Sequence, residues 1–335
     1  MIDYSKGFSA AYYATVVDPR TWRDADRIEI TEASISRTAS ELRTTASFKC
    51  LDYPAETEQI VRIYIETSQH GSNERSALFT GLACSPSDEI NGTITENKID
   101  CYSILKYAQD VLLDRGWYAP VEMPASVIIR QLFEDIPAPI IIEDNSPELA
   151  EAVVAENGES KLSMVDKILT AIGWTMTVLG DGTIRIAPEE MKAKIAIDPL
   201  SFDIIEPEID ITRDWYSCPN VFRATSGNLS AVARDDSENS YLSTVNRGRE
   251  IWMEETEVKL STGESVADYA LRRLKEEQRI QTAAKYNRRF LPDVYPGDVV
   301  QLIYPQIGMS GNYRIKSQTI EATHSARTTE EVTSV

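Results

Sequence analysis

Two stretches near the end of the chain alternate apolar and polar residues with period two. They are YPGDVVQLIYP (295–305) and GNYRIKSQTIEAT (311–323), with a Gly-containing turn between them. A one-residue slip would move every apolar side chain to the wrong face, so such a pair can settle only as a hairpin with one side buried. Similar alternation recurs upstream. In IVRIYIETS, Val61, Ile63 and Ile65 share one face against Arg62, Tyr64 and Glu66. RIEITEASISR and TTASFKCLDYP precede it, and SALFTGLACS and EINGTITENKIDCYS follow, with QHGSNER as a turn cluster. The slip at Thr31–Glu32 predicts a bulge or turn. Short strands punctuated by turn residues predict a small sandwich or barrel over 27–105.

The period then changes. In DCYSILKYAQDVLLDRG, Ile104, Ala108, Val111 and Leu112 fall at helical spacing, with Asp100 as cap and Arg115–Gly116 at the stop. SVIIRQLFED predicts a second helix capped by Ser126. IPAPIIIEDNSPE, broken by prolines, is extended or loop. SMVDKILTAIG predicts a third helix. Ser163 and Asp166 resemble a capping box, Val165, Ile168, Leu169 and Ile172 form its stripe, and Gly173 supplies the left-handed stop. WTMTVLGDGTIRIAP then reads as a hairpin turning over Gly180-Asp181-Gly182. Residues 106–200 form a mixed α/β insertion.

Strand patterns return in FDIIEPEIDITRDW, PNVFRATSGN and REIWMEETEVKLS. One strong helix follows over 264–286, with Ser261 and Glu264 as a capping box and Val266, Ala270 and Leu274 on one face. The expected class is α+β, mainly β. Its domains are an N-terminal extension (1–26), a first barrel (27–105), the insertion (106–200) and a second barrel with its helix (201–335).

Reactive groups are sparse. His70 and His324 sit in polar turns, and neither GxSxG nor HExxH occurs. Cys50, Cys84, Cys101 and Cys218 lack metal spacing and are expected reduced. Asp88/Glu89, Glu134/Asp135 and Glu189/Glu190 are paired carboxylates, as chance provides among 53 acidic residues. The Glu143–Ser146 and Leu179–Ile184 stretches hold acidic loop residues without a calcium-loop pattern. No Gly-rich loop opens a helix. Arg272–Arg273 and Arg288–Arg289 lie among acids and read as a solvated or interface face. Scattered tryptophans and tyrosines fit core or interface packing. The expectation is no catalytic, cofactor-binding or metal residues and no enzyme activity. The net charge of −19 argues against general nucleic-acid binding. No signal-peptide layout and no membrane-length apolar run is present.

Two segments carry a resemblance. One is SMVDKILTAIGWTMTVLGDGTIRIAP. The other runs from PNVFRATSGN through VNRGREIW and ESVADYALRRLKEEQ to the closing hairpin. In this order of elements, over 27–335, the chain resembles baseplate hub proteins of contractile phage tails and of phage-derived (R-type) bacteriocins, a group that includes hubs of defective Bacillus prophages. The first 26 residues match nothing comparable.

The resemblance implies two tail-tube-like β-barrels flanking the insertion. It implies a homotrimer whose six barrels form a pseudo-sixfold ring, joining a hexameric tail tube to a trimeric central spike and continuing its lumen. Implied partners are the tube, the spike, other baseplate proteins and a tape-measure protein, with DNA only passing through if the particle is a phage. The implied location is a particle assembled in a bacterial cytoplasm, without membrane insertion. The acidic balance fits a lumen to which DNA does not adhere. Two other functions stay open: a cell-surface glycan or peptidoglycan hydrolase, and a peripheral receptor-binding tail protein.

Overall fold

The computed structural model describes residues 2–335 apart from 52, 54–56, 93, 122, 145, 150, 199–204, 214, 217, 257, 259–264, 279–281 and 305–308. Strand makes up 50% and helix 14%, which places the chain in the mainly β class. It divides into two compact units, 1–210 with 285–335, and 211–284.

The first unit is organised by a 13-stranded sheet. The strands Ile30–Thr38, Thr44–Cys50, Gln59–Gln69, Ser72–Asn91 and Ile94–Ser103 belong to it, as the alternation predicts. The expected irregularity appears as a register shift between Ile30 and Glu32. His70 and Gly71 both take positive φ (49° and 82°), closing the turn between two long strands. The N-terminal segment read as an extension enters this sheet. Ser9–Asp18 pairs with Gln59–Gln69 on one side and with Arg23–Ile28 on the other.

The closing hairpin forms as read, Val299–Tyr304 running antiparallel to Met309–Glu321. Its expected turn falls in 305–308, outside the described residues. The 13-residue strand also does something that local alternation does not foretell. Its second half pairs with Ile30–Thr38, matching Thr319 to Ser36 and Ile320 to Ile35. The two β regions therefore share one sheet. Among the described residues the strand path is open and no closed barrel forms. The reason is length: the strand outreaches its hairpin partner, and its free portion completes its ladder on the first β region.

Beneath this sheet Ile35, Phe48, Ile63, Ile65, Phe79 and Ile99 are almost fully buried, joined by Phe8, Phe290 and Ile320. At roughly 1.5–3 kcal/mol for each large apolar side chain removed from water, this cluster is the main force holding the pairing.

The α/β portion has its own core, which includes Ile128, Leu132, Phe133, Met164, Ile168 and Ile186. Its helices are Ala125–Leu132 and Lys161–Ile172. Gly173 ends the latter at φ 68°, as expected, but the N-cap is Ser160, whose side chain accepts from the Ser163 amide. Ser126 does not cap the former; its amide donates to Ser146 Oγ, and Pro124 occupies the cap position. The helix expected between Asp100 and Gly116 shrinks to Lys106–Gln109. Asp100 remains in a strand, and residues 111–113 pair with 159–161 through bonds such as Leu113 N to Glu159 O. Extended pairing wins there over helical spacing. The hairpin of Trp174–Val178 with Ile184–Pro188 forms as read.

The second unit is a three-stranded sheet with Val221–Ser226 central, Leu229–Arg234 antiparallel on one side and Trp252–Glu255 parallel on the other. The helix Val266–Glu277 covers one face, burying Val266, Ala270 and Leu274 as predicted against Phe222 and Ala224. Its capping box is Ser265 with Asp268; the expected Ser261 and Glu264 lie outside the described residues. The helix does not continue to 286. Thr282–Arg289 is a strand in which Ala284, Tyr286 and Arg288 point inward, a period-two demand that overrides the helix preference of its Ala, Lys and Arg residues.

Candidate assembly surfaces

The residues singled out for chemistry lie apart, and most of the charged ones are occupied with structure. His70 and His324 are exposed in turns. Glu134 and Asp135 both face Lys161, at 4.0 and 2.8 Å. Glu189 pairs with Arg314 at 3.2 Å, and the Glu190 carbonyl accepts from the same guanidinium at 3.3 Å. Asp88 accepts from Asn97 on an exposed strand. Arg272 and Arg273 pair with Glu276, and Arg273 also with Glu255 and Glu277. None of the four cysteines forms a disulfide. Among the described residues no three His, Cys, Asp or Glu side chains converge as a metal set, and no helix is long and apolar enough to cross a membrane. One open groove of about 620 Å³ is lined by Glu32, Ser34, Ser47, Lys49, Lys98 and Glu321, without a nucleophile hydrogen-bonded to a base.

The reading of Arg288 as solvated is overturned. It is 2% exposed, donates to Glu330 through Nε at 2.9 Å and pairs with it again through Nη2. Tyr286 Oη and Gln318 Nε2 also donate to Glu330, each at 2.5 Å. Burial pushes Glu330 upward, but Arg288 and the hydrogen bonds outweigh it and hold the carboxyl below its usual value. Burial together with Glu330 drives the Tyr286 phenol well up. Arg37 is also buried; it donates to the Leu78 carbonyl at 2.7 Å and lies 4.6 Å over the Tyr295 ring. Two guanidinium groups thus occupy this interior with Glu330 as the paired carboxylate. Arg37, Arg288 and Glu330 all occupy the inward phase of their strands, a phase that shows only once the strands are placed.

The Leu179–Ile184 turn has a second use. Thr80 Oγ1 donates to the Gly180 carbonyl at 2.8 Å, while Trp22 Nε1 and Arg62 Nη2 donate to the Asp181 carbonyl at 3.0 and 3.1 Å. A Cβ on Gly180 would lie 1.8 Å from the Ala77 carbonyl oxygen. The turn is a plug seated on the main sheet, fixing the α/β portion within its unit. Asp24 braces the socket, accepting from Arg62 at 2.8 Å and Tyr64 at 2.7 Å.

Aromatic and guanidinium groups also meet near the surface. Across the main sheet, exposed Arg27 and Arg75 stack over the buried, mutually stacked Tyr13 and Tyr64. In the second unit the sheet face away from the helix carries Arg223 stacked on Trp252, with Val232 half exposed. These Tyr, Trp and Arg groups are the types that dominate protein interfaces.

No protein-family model and no curated protein sequence matches the chain. Solved structures do. A tail protein from Neisseria meningitidis MC58 superposes with a TM-score of 0.69 at 13% identity, covering 97% of this chain and 96% of that one. The 43 kDa tail protein of prophage MuSo2 from Shewanella oneidensis gives 0.69 at 13% identity, covering 98% of each. A Francisella PdpA–VgrG complex gives 0.60 at 9% identity over 98% of this chain and 58% of that one. The fold is that of phage tail proteins.

Proposed function

We propose that the chain is a structural hub of a contractile-tail baseplate, in a phage or in an R-type bacteriocin. The observation that supports this most is the end-to-end likeness to two tail proteins, whose whole lengths are matched as well. A shared domain alone would leave large parts of either chain uncovered. The use of candidate carboxylates and guanidinium groups as structural partners favours a scaffold over a hydrolase.

In this reading three copies form a ring. Each contributes two arcs of β-structure, one from the strands before residue 104 and one from those after 282, so that threefold symmetry presents a near-sixfold rim. That rim meets the tail tube, and the opposite side meets the central spike, with the lumen continued through the middle. Other baseplate proteins and a tape-measure protein complete the neighbourhood, inside a particle assembled in a bacterial cytoplasm. The shared sheet makes the two arcs one rigid piece, as an adaptor under contractile load requires.

The test is the mass of the purified chain, alone and with the tube and spike proteins of its own particle, together with an image of that particle. Three copies on the axis between tube and tip are expected. A peripheral position with binding to cells by the chain alone, or clearing of cell walls by the purified chain, overturns the reading.

A further inference from the structure

We infer that this chain joins a second copy of itself head to tail through the two open edges of the sheet in 211–284. Leu229–Arg234 of one copy pairs antiparallel with Trp252–Glu255 of the next. The inference deepens the ring reading and rests on it only for the number of copies.

The first ground is the state of the edges. Both outer strands pair with Val221–Ser226 on one side only, and no backbone partner occupies their other sides among the described residues. Such an edge is a template for another chain unless it is guarded by charge. The strands at the two ends of the main sheet's path are guarded. Arg23–Ile28 carries Arg23, Asp24, Asp26 and Arg27, and Ile205–Arg213 carries Glu206, Glu208 and Asp210. Leu229–Arg234 has the sequence LSAVAR with one charge, at its end, and leaves Leu229 66% and Val232 50% exposed.

The second ground is charge. Residues 211–284 hold 12 acidic and 10 basic side chains, a net −2 within a chain of −19. Of the two units this one carries far less of the net charge, so copies of so acidic a protein meet less repulsion through it than through the first unit as a whole. It is also the more apolar surface: nine of the twenty large apolar side chains exposed among the described residues fall in these 74 of 335 positions.

The third ground is polarity of fit. Leu229–Arg234 runs antiparallel to the central strand and Trp252–Glu255 runs parallel to it. A next copy in the same orientation therefore offers an antiparallel partner, the slightly more stable ladder. Glu254 and Glu255 then face a strand without acids. Arg234 comes to the Trp252 end, a contact of the kind Arg223 already makes within the chain, 4.9 Å over the same ring. The edge charges keep their own partners, Arg234 with Glu250, Glu254 with Arg223 and Glu255 with Arg273, so pairing strands no ion. An isologous pairing of Leu229–Arg234 with itself leaves the Trp252 edge open; head-to-tail pairing uses both edges and generates a ring or filament.

The test uses full-length chains at exposed positions of the two strands. Ser230→Cys protein is mixed with Glu254→Cys protein and a short bismaleimide. Mixed cross-linked pairs well above either chain alone are expected. Val232→Lys should cut their yield at least about tenfold with an unchanged melting temperature. Ser230–Ser230 products in equal yield, or no cross-links, overturn the inference. A three-copy mass without mixed cross-links also overturns it while leaving the ring; mixed cross-links in open-ended chains support the edge pairing and sink the three-copy ring instead.

Discussion

Replacing Glu330 by Gln tests the interior most directly. The substitution keeps the shape and leaves an oxygen to accept from Tyr286. It removes the negative charge facing Arg288, which is 2% exposed and has no route to water without local opening. Breaking one side of a buried ion pair costs about 3–5 kcal/mol, because the surviving ion is left uncompensated. Arg37 loses a favourable field as well. Against a total stability of roughly 5–15 kcal/mol, the expected loss is severe, and the melting temperature should fall on the order of 10 °C. The diagnostic is the double variant Arg288→Met/Glu330→Gln, which removes the orphaned cation. It should recover most of the loss in urea or thermal unfolding followed by circular dichroism, with Arg37 keeping recovery short of complete. A double variant as unstable as Glu330→Gln, or a single variant within about 0.5 kcal/mol of the parent, refutes the reasoning.

Other outcomes follow from the same contacts. Because Glu330 has its folded pKa below the usual 4.5, its stabilisation is present above the unfolded value and disappears as pH falls through the folded one; urea midpoints should drop below pH 4.5 in the parent and much less in Glu330→Gln. Gly180→Ala drives a methyl into the Ala77 carbonyl and should unseat the plug, seen as a changed Trp22 emission and faster proteolysis of 106–200. Ser265→Ala removes a capping box and should cost about 1 kcal/mol, confined in hydrogen exchange to residues 211–284. Burial pushes the Cys84 thiol up to about 12 and the Cys101 thiol well above its usual value, so neither should react with a disulfide reagent at pH 7.5 until the chain is unfolded.

Local chemistry explains what could be read from the residues. The hairpins over 174–188 and 299–321 carry their own turn signals and alternation, and Gly173 stops its helix by a backbone property. Pairings between distant strands leave no such mark. Nothing in 317–321 names 34–38 as its partner, and the parallel match of Ile195–Ile197 with Val300–Leu302 is equally silent. Residues 104–112 and 282–289 misled because their composition favours helix while partners far along the chain imposed extension. Arg288 was misplaced for a related reason: a charged residue reads as outward until its strand phase is known. The plug at 179–184 was legible as a turn but not as a contact, since its socket is built from Trp22, Arg62 and Thr80. The sheet edges of 211–284 were invisible because an edge is defined by what is missing beside it.

The 13-residue strand at 309–321 has a consequence for biosynthesis. Strand 30–38 emerges from the ribosome early and, though Thr44–Cys50 follows at once on one side, must wait for almost the entire polypeptide before the neighbour on its other side exists. Translation products cut short before residue 309 cannot finish the sheet.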